Sequence, residues 1–190
     1  MPDSFIAGVD YVLQTAQANP ETFRFVLITL ANKYETSPVM GFDEVFVHIV
    51  DQYYLNQDLD WVDEETLKKL EERVASIKPN LIGNQAPNLV LWDTLGTEVN
   101  LRDIQANFTV LYFYDPDCGH CKTKTPMLYA SYPELQAKGT EILAVCTTTD
   151  EKRWLEFIQQ NDLGWVNLAD LQAKTYFKFY YDIRSTPTVY

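Results

Sequence analysis

The chain has 190 residues, 46% of them hydrophobic, and a formal charge of −12, which allows one large or two small domains with an ordinary core. That charge leaves no basic stripe for nucleic-acid phosphates and disfavours adhesion to an anionic membrane by charge alone. No apolar run reaches the roughly 18 residues of a spanning helix, and the first residues lack the basic-then-apolar pattern of a signal peptide. The sequence therefore reads as cytosolic or as a mature chain whose export signal has been removed.

Residues 1–78 read as helical. Asn19-Pro20-Glu21 is a helix start, with a capping side chain, a proline at the first helical position and an acid in the first turn. Phe23, Val26, Leu27 and Leu30 follow on one face, and the pattern ends near Pro38. A second helix is predicted from Phe42 to about Asn56, with Val45, Phe46, Ile49, Val50 and Tyr53 inward. Asp63 caps a third, carrying Leu67, Leu70, Val74 and Ile77, which Lys78-Pro79 stops. These stripes read as core, and His48 beside them as a partly buried or surface histidine. The acidic run from Asp58 to Asp63 lacks calcium-loop spacing and reads as a solvated face. No nucleophile-base pair, phosphate loop or metal cluster can be assembled here, so residues 1–80 form a helical domain of unassigned role.

Asn80 to Pro87 reads as the boundary. Asn88–Asp93 and Val99–Leu101 are expected as a hairpin, followed by a short helix near Leu101–Gln105. Phe108 to Tyr114 is an unbroken β-branched and aromatic run, as a strand covered on both faces needs. Asp115-Pro116-Asp117 then turns the chain into a helix that opens on Cys118 and runs to Ala137, kinked at Pro126. Glu141–Thr147 is another buried strand, and Asp150 caps a helix with Trp154, Phe157 and Ile158 inward. Strands alternating with helices predict a mostly parallel sheet flanked by helices.

Cys118-Gly119-His120-Cys121 carries the chemistry. Unpaired N–H groups at a helix start stabilise a thiolate, and a protonated His120 would add to this. The second cysteine, one turn in, is within disulfide reach, so the arrangement points to dithiol/disulfide exchange. Zinc would need a second ligand pair, for which only Cys146 and His48 remain. Haem attachment would need histidine where Lys122 stands. A purely structural bridge over so small a loop would constrain little chain entropy. Cys146, in an apolar strand, reads as an inert buried thiol.

The Cys118–Cys121 segment with Pro126, together with Tyr181–Thr188, resembles the thioredoxin superfamily; the lead-in from Gly83 to Asp93 and the Cys146 strand are similar to its TlpA-like bacterial branch. The resemblance covers residues 81–190. It implies a thioredoxin-like α/β domain in which Cys118 attacks, Cys121 resolves, Gly119 and His120 tune the pair, and Thr186 with a cis Pro187 lines the substrate chain. It implies protein disulfide substrates, a redox partner protein, no cofactor or metal, and a bacterial periplasmic or envelope location. The Gly-His pair resembles that of protein disulfide isomerase, more oxidising than thioredoxin by roughly 90 mV, whereas the TlpA-like branch mostly reduces. Reductase is the favoured direction; isomerase or oxidase, and a partner-binding module with a vestigial motif, stay open.

Four departures bear on this. Asp117 stands where many members have tryptophan, and an acid beside a thiolate opposes its formation. Tyr112 occupies the place of thioredoxin's buried acid, and Lys124 that of a glutamate common in the branch, leaving the base for Cys121 unassigned. Peroxiredoxins share the fold, but their Pro-x-x-x-Thr-x-x-Cys setting is not met, Asp115 standing three before Cys118. The chain also stops three residues after Pro187, before the family's last strands and helix, so a fragment is expected whose open sheet edge invites dimerisation.

Overall fold

In the computed structural model, which describes residues 2–190, the chain divides into two units, one up to Ala86 and one from Pro87 to Tyr190.

The first unit is helical. Helices α1 (Pro2–Ala16), α2 (Pro20–Glu35), α3 (Phe42–Ile49) and α4 (Glu64–Ile77) pool Val9, Leu13, Phe23, Leu27, Phe46 and Ile49 in one core. Asn19 caps α2 by accepting from the Thr22 amide at 2.9 Å, and Asp63 caps α4 from the Thr66 amide at 2.7 Å; such a cap contributes about 1 kcal/mol. The helix expected over Phe42–Asn56 changes winding midway, Val50–Leu55 being π-helical, yet all five residues read as inward are buried. His48 is half-buried, its Nε2 2.7 Å from Asp10 Oδ1, which also accepts from the Tyr53 hydroxyl at 2.8 Å.

The second unit is a six-stranded sheet with helices on it. Its strands are β1 (Val90–Trp92), β2 (Glu98–Asn100), β3 (Phe108–Tyr114), β4 (Thr140–Cys146), β5 (Val166–Ala169) and β6 (Thr188–Val189), in the order β2-β1-β5-β4-β3-β6. The parallel part is confined to β3–β4–β5; β1–β2, β1–β5 and β3–β6 pair antiparallel, so the sheet is mixed rather than mostly parallel. A tight turn over Asp93–Thr97 joins β1 to β2, and a connection that short can only reverse the chain.

Alternation along the strands sorts side chains to two faces. Tyr112, Tyr114, Ile142, Ala144 and Cys146 point to one, where α5 (Gly119–Ala137) and α6 (Glu151–Gln160) bring Cys121, Trp154 and Phe157. Leu111, Phe113, Leu143, Val145 and Leu168 point to the other, covered by Leu89, Leu91 and Phe177 of the short helix α7 (Phe177–Tyr180). Helix α5 runs unbroken through Pro126 and Pro133.

One expectation is corrected. The sequence reading ended the sheet before the strand that follows Pro187, but two residues suffice for it: Thr188 pairs with Phe113 and Val189 with Tyr112, and Tyr190 exchanges both backbone hydrogen bonds with Leu111 at 3.0 Å. Strand β3 is therefore paired on both sides at Tyr112 and Phe113, and β2 and β6 are the outer strands of the sheet.

Candidate active site

The end of β3 and the start of α5 fix the site. After Tyr114 the chain turns through Asp115-Pro116-Asp117; the Asp117 amide donates to Asp115 Oδ1 at 2.8 Å, closing the turn. Cys118 is the N-cap of α5, in extended backbone conformation, with its Sγ accepting from the Cys121 amide at 3.4 Å. A sulfur thus stands where capping oxygens usually stand. Pairing of β6 with the end of β3 carries the preceding loop over this point. The Thr186 carbonyl oxygen lies 3.1 Å from Cys118 Sγ, and the Thr186–Pro187 bond is cis. Gly119 and His120 are exposed; Cys118 is half-buried and Cys121 buried.

The two sulfurs sit in opposite electrostatic settings. The Cys118 thiol is held below its usual range, first by hydrogen bonding from the Thr186 side chain, then by the backbone N–H of Cys121, with the Cys121 thiol and the His120 amide adding and burial opposing. The Thr186 carbonyl accepts from the protonated thiol and so works against this. The direction rests on several donors facing one acceptor. Cys121 is pushed up to about 11 by burial; the Asp115 amide at 3.5 Å and the Thr186 side chain oppose, while Cys118 raises it further. Cys146 is buried, up to about 12 through desolvation.

The expected opposition from Asp117 is met by a residue that the sequence did not single out. The guanidinium of Arg153, on the first turn of α6, pairs with Asp117 Oδ2 and also reaches Asp150 at 3.2 Å. Asp117, Arg153, Lys122, Glu156, Pro116 and Phe157 line a groove of roughly 400 Å³. Arg153 was detectable only as the residue three after a helix cap; its pairing needs the topology that sets β4 beside β3.

Tyr112 places its hydroxyl 2.7 Å from Thr125 Oγ1, both buried, and burial raises its pKa to about 12. It fills the place of the absent acid without supplying a base. Among the described residues, no group of three or more His, Cys, Asp or Glu side chains gathers where a metal could be held. No helix of the described residues is long and apolar enough to cross a membrane. Chemically, the arrangement offers one readily ionised sulfur, a second held protonated behind it, and backbone groups of the Thr186–Pro187 loop alongside.

The chain is similar to known proteins over its second unit and, in fold, beyond it. The thiol-disulfide oxidoreductase ResA of a Bacillus cereus strain is 33% identical over 93 residues, 49% of this chain and 54% of that protein. The chain spans about half the length of the curated relatives it matches. A crystal structure described as a domain of a possible thiol-disulfide isomerase from Cytophaga hutchinsonii is 42% identical, covering 58% of this chain and 76% of that one at a TM-score of 0.55. A thioredoxin-like protein from Bacteroides caccae is 17% identical and covers 100% of this chain and 69% of that one at a TM-score of 0.80, so the likeness of fold takes in the helical unit too. The fold is thioredoxin-like, and with the AhpC/TSA family model matching residues 82–188, more than half its length, the chain belongs to the AhpC/TSA family.

Proposed function

We propose that this protein is a thiol-disulfide oxidoreductase acting on protein disulfides, with Cys118 as nucleophile and Cys121 as resolving thiol. The observation that carries this reading is the split between the two sulfurs, one below and one well above the usual thiol range, a helical turn apart. The Cys118 thiolate attacks one sulfur of a substrate disulfide, forming a mixed disulfide and releasing the other sulfur as thiolate. Cys121, once deprotonated, attacks Cys118 Sγ, releasing the substrate as dithiol and leaving Cys118–Cys121 oxidised. Two electrons have moved to the substrate, and a dithiol-bearing redox partner returns them. Thr186 and Pro187 lie along the incoming chain, Gly119 and His120 tune the couple, and residues 1–80 form a separate helical domain of unassigned role.

Net reduction is the direction we favour, in a bacterial periplasm or cell envelope, on the likeness to ResA. A second reading, isomerase or oxidase, is favoured by the Gly119-His120 pair and by the likeness to the Cytophaga hutchinsonii domain.

Insulin disulfide reduction with dithiothreitol tests the proposal. Wild type should accelerate it, and Cys118→Ser and Cys121→Ser should each abolish the acceleration. A wild type no faster than buffer would refute it in favour of a binding module, and peroxide consumption would point to a peroxidase. The Cys118/Cys121 reduction potential decides direction: a value near that of thioredoxin supports reduction, and one some 90 mV higher supports isomerisation or oxidation.

A further inference from the structure

The residue before the nucleophile is a carboxylate, and its partner is an arginine 36 positions later on a different element. We infer that Arg153 is a positioning residue for the nucleophile: by clamping Asp117 toward α6, it keeps that carboxylate from suppressing the Cys118 thiolate.

Three observations on separate elements carry this. Asp117 is exposed and directly precedes Cys118, so an unclamped carboxylate there is free to turn toward Sγ. Its amide is already held by Asp115 Oδ1, which fixes the backbone of the turn and leaves the side chain as the movable part. Arg153 in turn is anchored by the α6 cap, its Nε 3.2 Å from Asp150 Oδ2, so the guanidinium is braced before it meets Asp117. A planar fork held at one nitrogen by one acid and at another by a second is a geometry that lysine reproduces only in part. Charged and titratable groups near Cys118 include Tyr112 of β3, Asp115 and Asp117 of the turn, His120, Cys121 and Lys122 of α5, Asp150 at the cap of α6 and Arg153 within it, and Asp182 and Arg184 of the loop before Thr186. Asp117 is the acid adjacent to the sulfur in sequence, and Arg153 is the cation paired with it.

The inference deepens the proposed function and rests on Cys118 being the reactive thiol, but its test needs no turnover. The rate of Cys118 alkylation by iodoacetamide, followed against pH in the reduced full-length chain, gives the thiol pKa directly. At low ionic strength Arg153→Gln should raise that pKa by roughly half a unit, as expected for an exposed charge a few ångströms off. In about 0.5 M NaCl the shift should shrink, because the Debye length falls well below 10 Å. Arg153→Lys, which keeps the charge but not the two-pronged hold, should give a value between those of Arg153→Gln and wild type. The discriminating measurement is the same substitution in the Asp117→Asn background, where less than half of the shift should remain because there is no carboxylate left to release.

An unchanged pKa in Arg153→Gln, or an equal shift in both backgrounds, overturns the inference. Should Arg153→Gln loosen the fold, buried Cys146 will label too. Asp117→Asn in the wild-type background then decides alone: a Cys118 pKa within about two tenths of a unit of wild type supports the role, because a clamped carboxylate contributes little, and a fall of about half a unit or more, meaning that the carboxylate suppresses the thiolate in spite of Arg153, ends it. Absence of insulin reduction by wild type would instead refute the proposed function, leaving the measured pKa values intact.

Discussion

Tyr112 and Thr125 share one buried hydrogen bond beneath the active-site helix, and removing either partner isolates the other. The two oxygens are 2.7 Å apart; Tyr112 is 1% exposed and Thr125 fully buried. Tyr112→Phe keeps the ring, which stacks on Tyr114 at 5.7 Å and tilts against Trp165 at 5.9 Å, so the packing contribution stays. What is lost is the partner of a hydroxyl that water cannot reach, at a cost of about 1–3 kcal/mol. Thr125→Val does the converse and should cost about the same. The double variant removes both hydroxyls at nearly constant shape and should cost no more than about 1 kcal/mol, so the pair couples with a favourable sign. With a urea slope of about 2 kcal/mol/M, a single variant at ~2 kcal/mol moves the midpoint by roughly 1 M. Labelling of Cys146 along a urea titration reads the unfolding of this unit alone, because that thiol lies in the same core cluster. A double variant whose cost equals the sum of the singles, or a Tyr112→Phe below about 0.5 kcal/mol, would refute the argument.

Three further outcomes follow from the same structure. A lowered thiol pKa shifts ionisation to the acid side, so Cys118 alkylation should reach half its maximal rate below the ordinary thiol value of about 8.5, whereas Cys121 should respond only as pH nears about 11; peptide-resolved labelling against pH would expose a reversed order. Gly139 has φ of +83° and a Cβ there would run into the Asn107 side chain, so Gly139→Ala should cost more than about 1 kcal/mol, and an unchanged denaturation midpoint would contradict this. Cys146→Ser should leave insulin reduction within about twofold, since the thiol is buried and its pKa raised, while lowering stability by about 1–2 kcal/mol through the buried hydroxyl; loss of turnover in a folded variant would give Cys146 a redox role.

What the sequence made legible is local. Asn19, Asp63 and Asp150 were visible as caps because a short polar side chain ahead of an apolar stripe has few other uses, and each accepts the amide expected of it. The run Phe108–Tyr114 announced a strand covered on both faces, and its alternate residues do go to two separate cores. The Cys118–Cys121 spacing and the Thr186–Pro187 loop were both readable, though separated by 68 positions. The illegible part is what the topology assembles. Strand β5 is short and shares its stretch with Trp165 and polar Asn167, so no run marks it. The change to π-helical winding at Val50 alters no side-chain pattern that a stripe of five inward residues would reveal. Arg153 and Asp117 belong to different elements, and neither carries a local mark of the other.

The opposite settings of the two cysteines have one cause, and it gives the reaction an order. Cys118 sits outside the helical ladder, where amide donors lack partners, so its anion is met by hydrogen bonds already in place. Cys121 sits one turn inside, packed beneath the sheet face, where its anion would lose water and gain little. Part of what holds the Cys121 proton is the neighbouring Cys118 sulfur, through its charge and its hydrogen bonding. Once Cys118 is bonded to a substrate sulfur it is no longer an anion, and that part of the barrier to ionising Cys121 is gone. Resolution is therefore easier after attack than before it, so the same neighbour that keeps the resolving thiol quiet in the free protein releases it in the mixed disulfide.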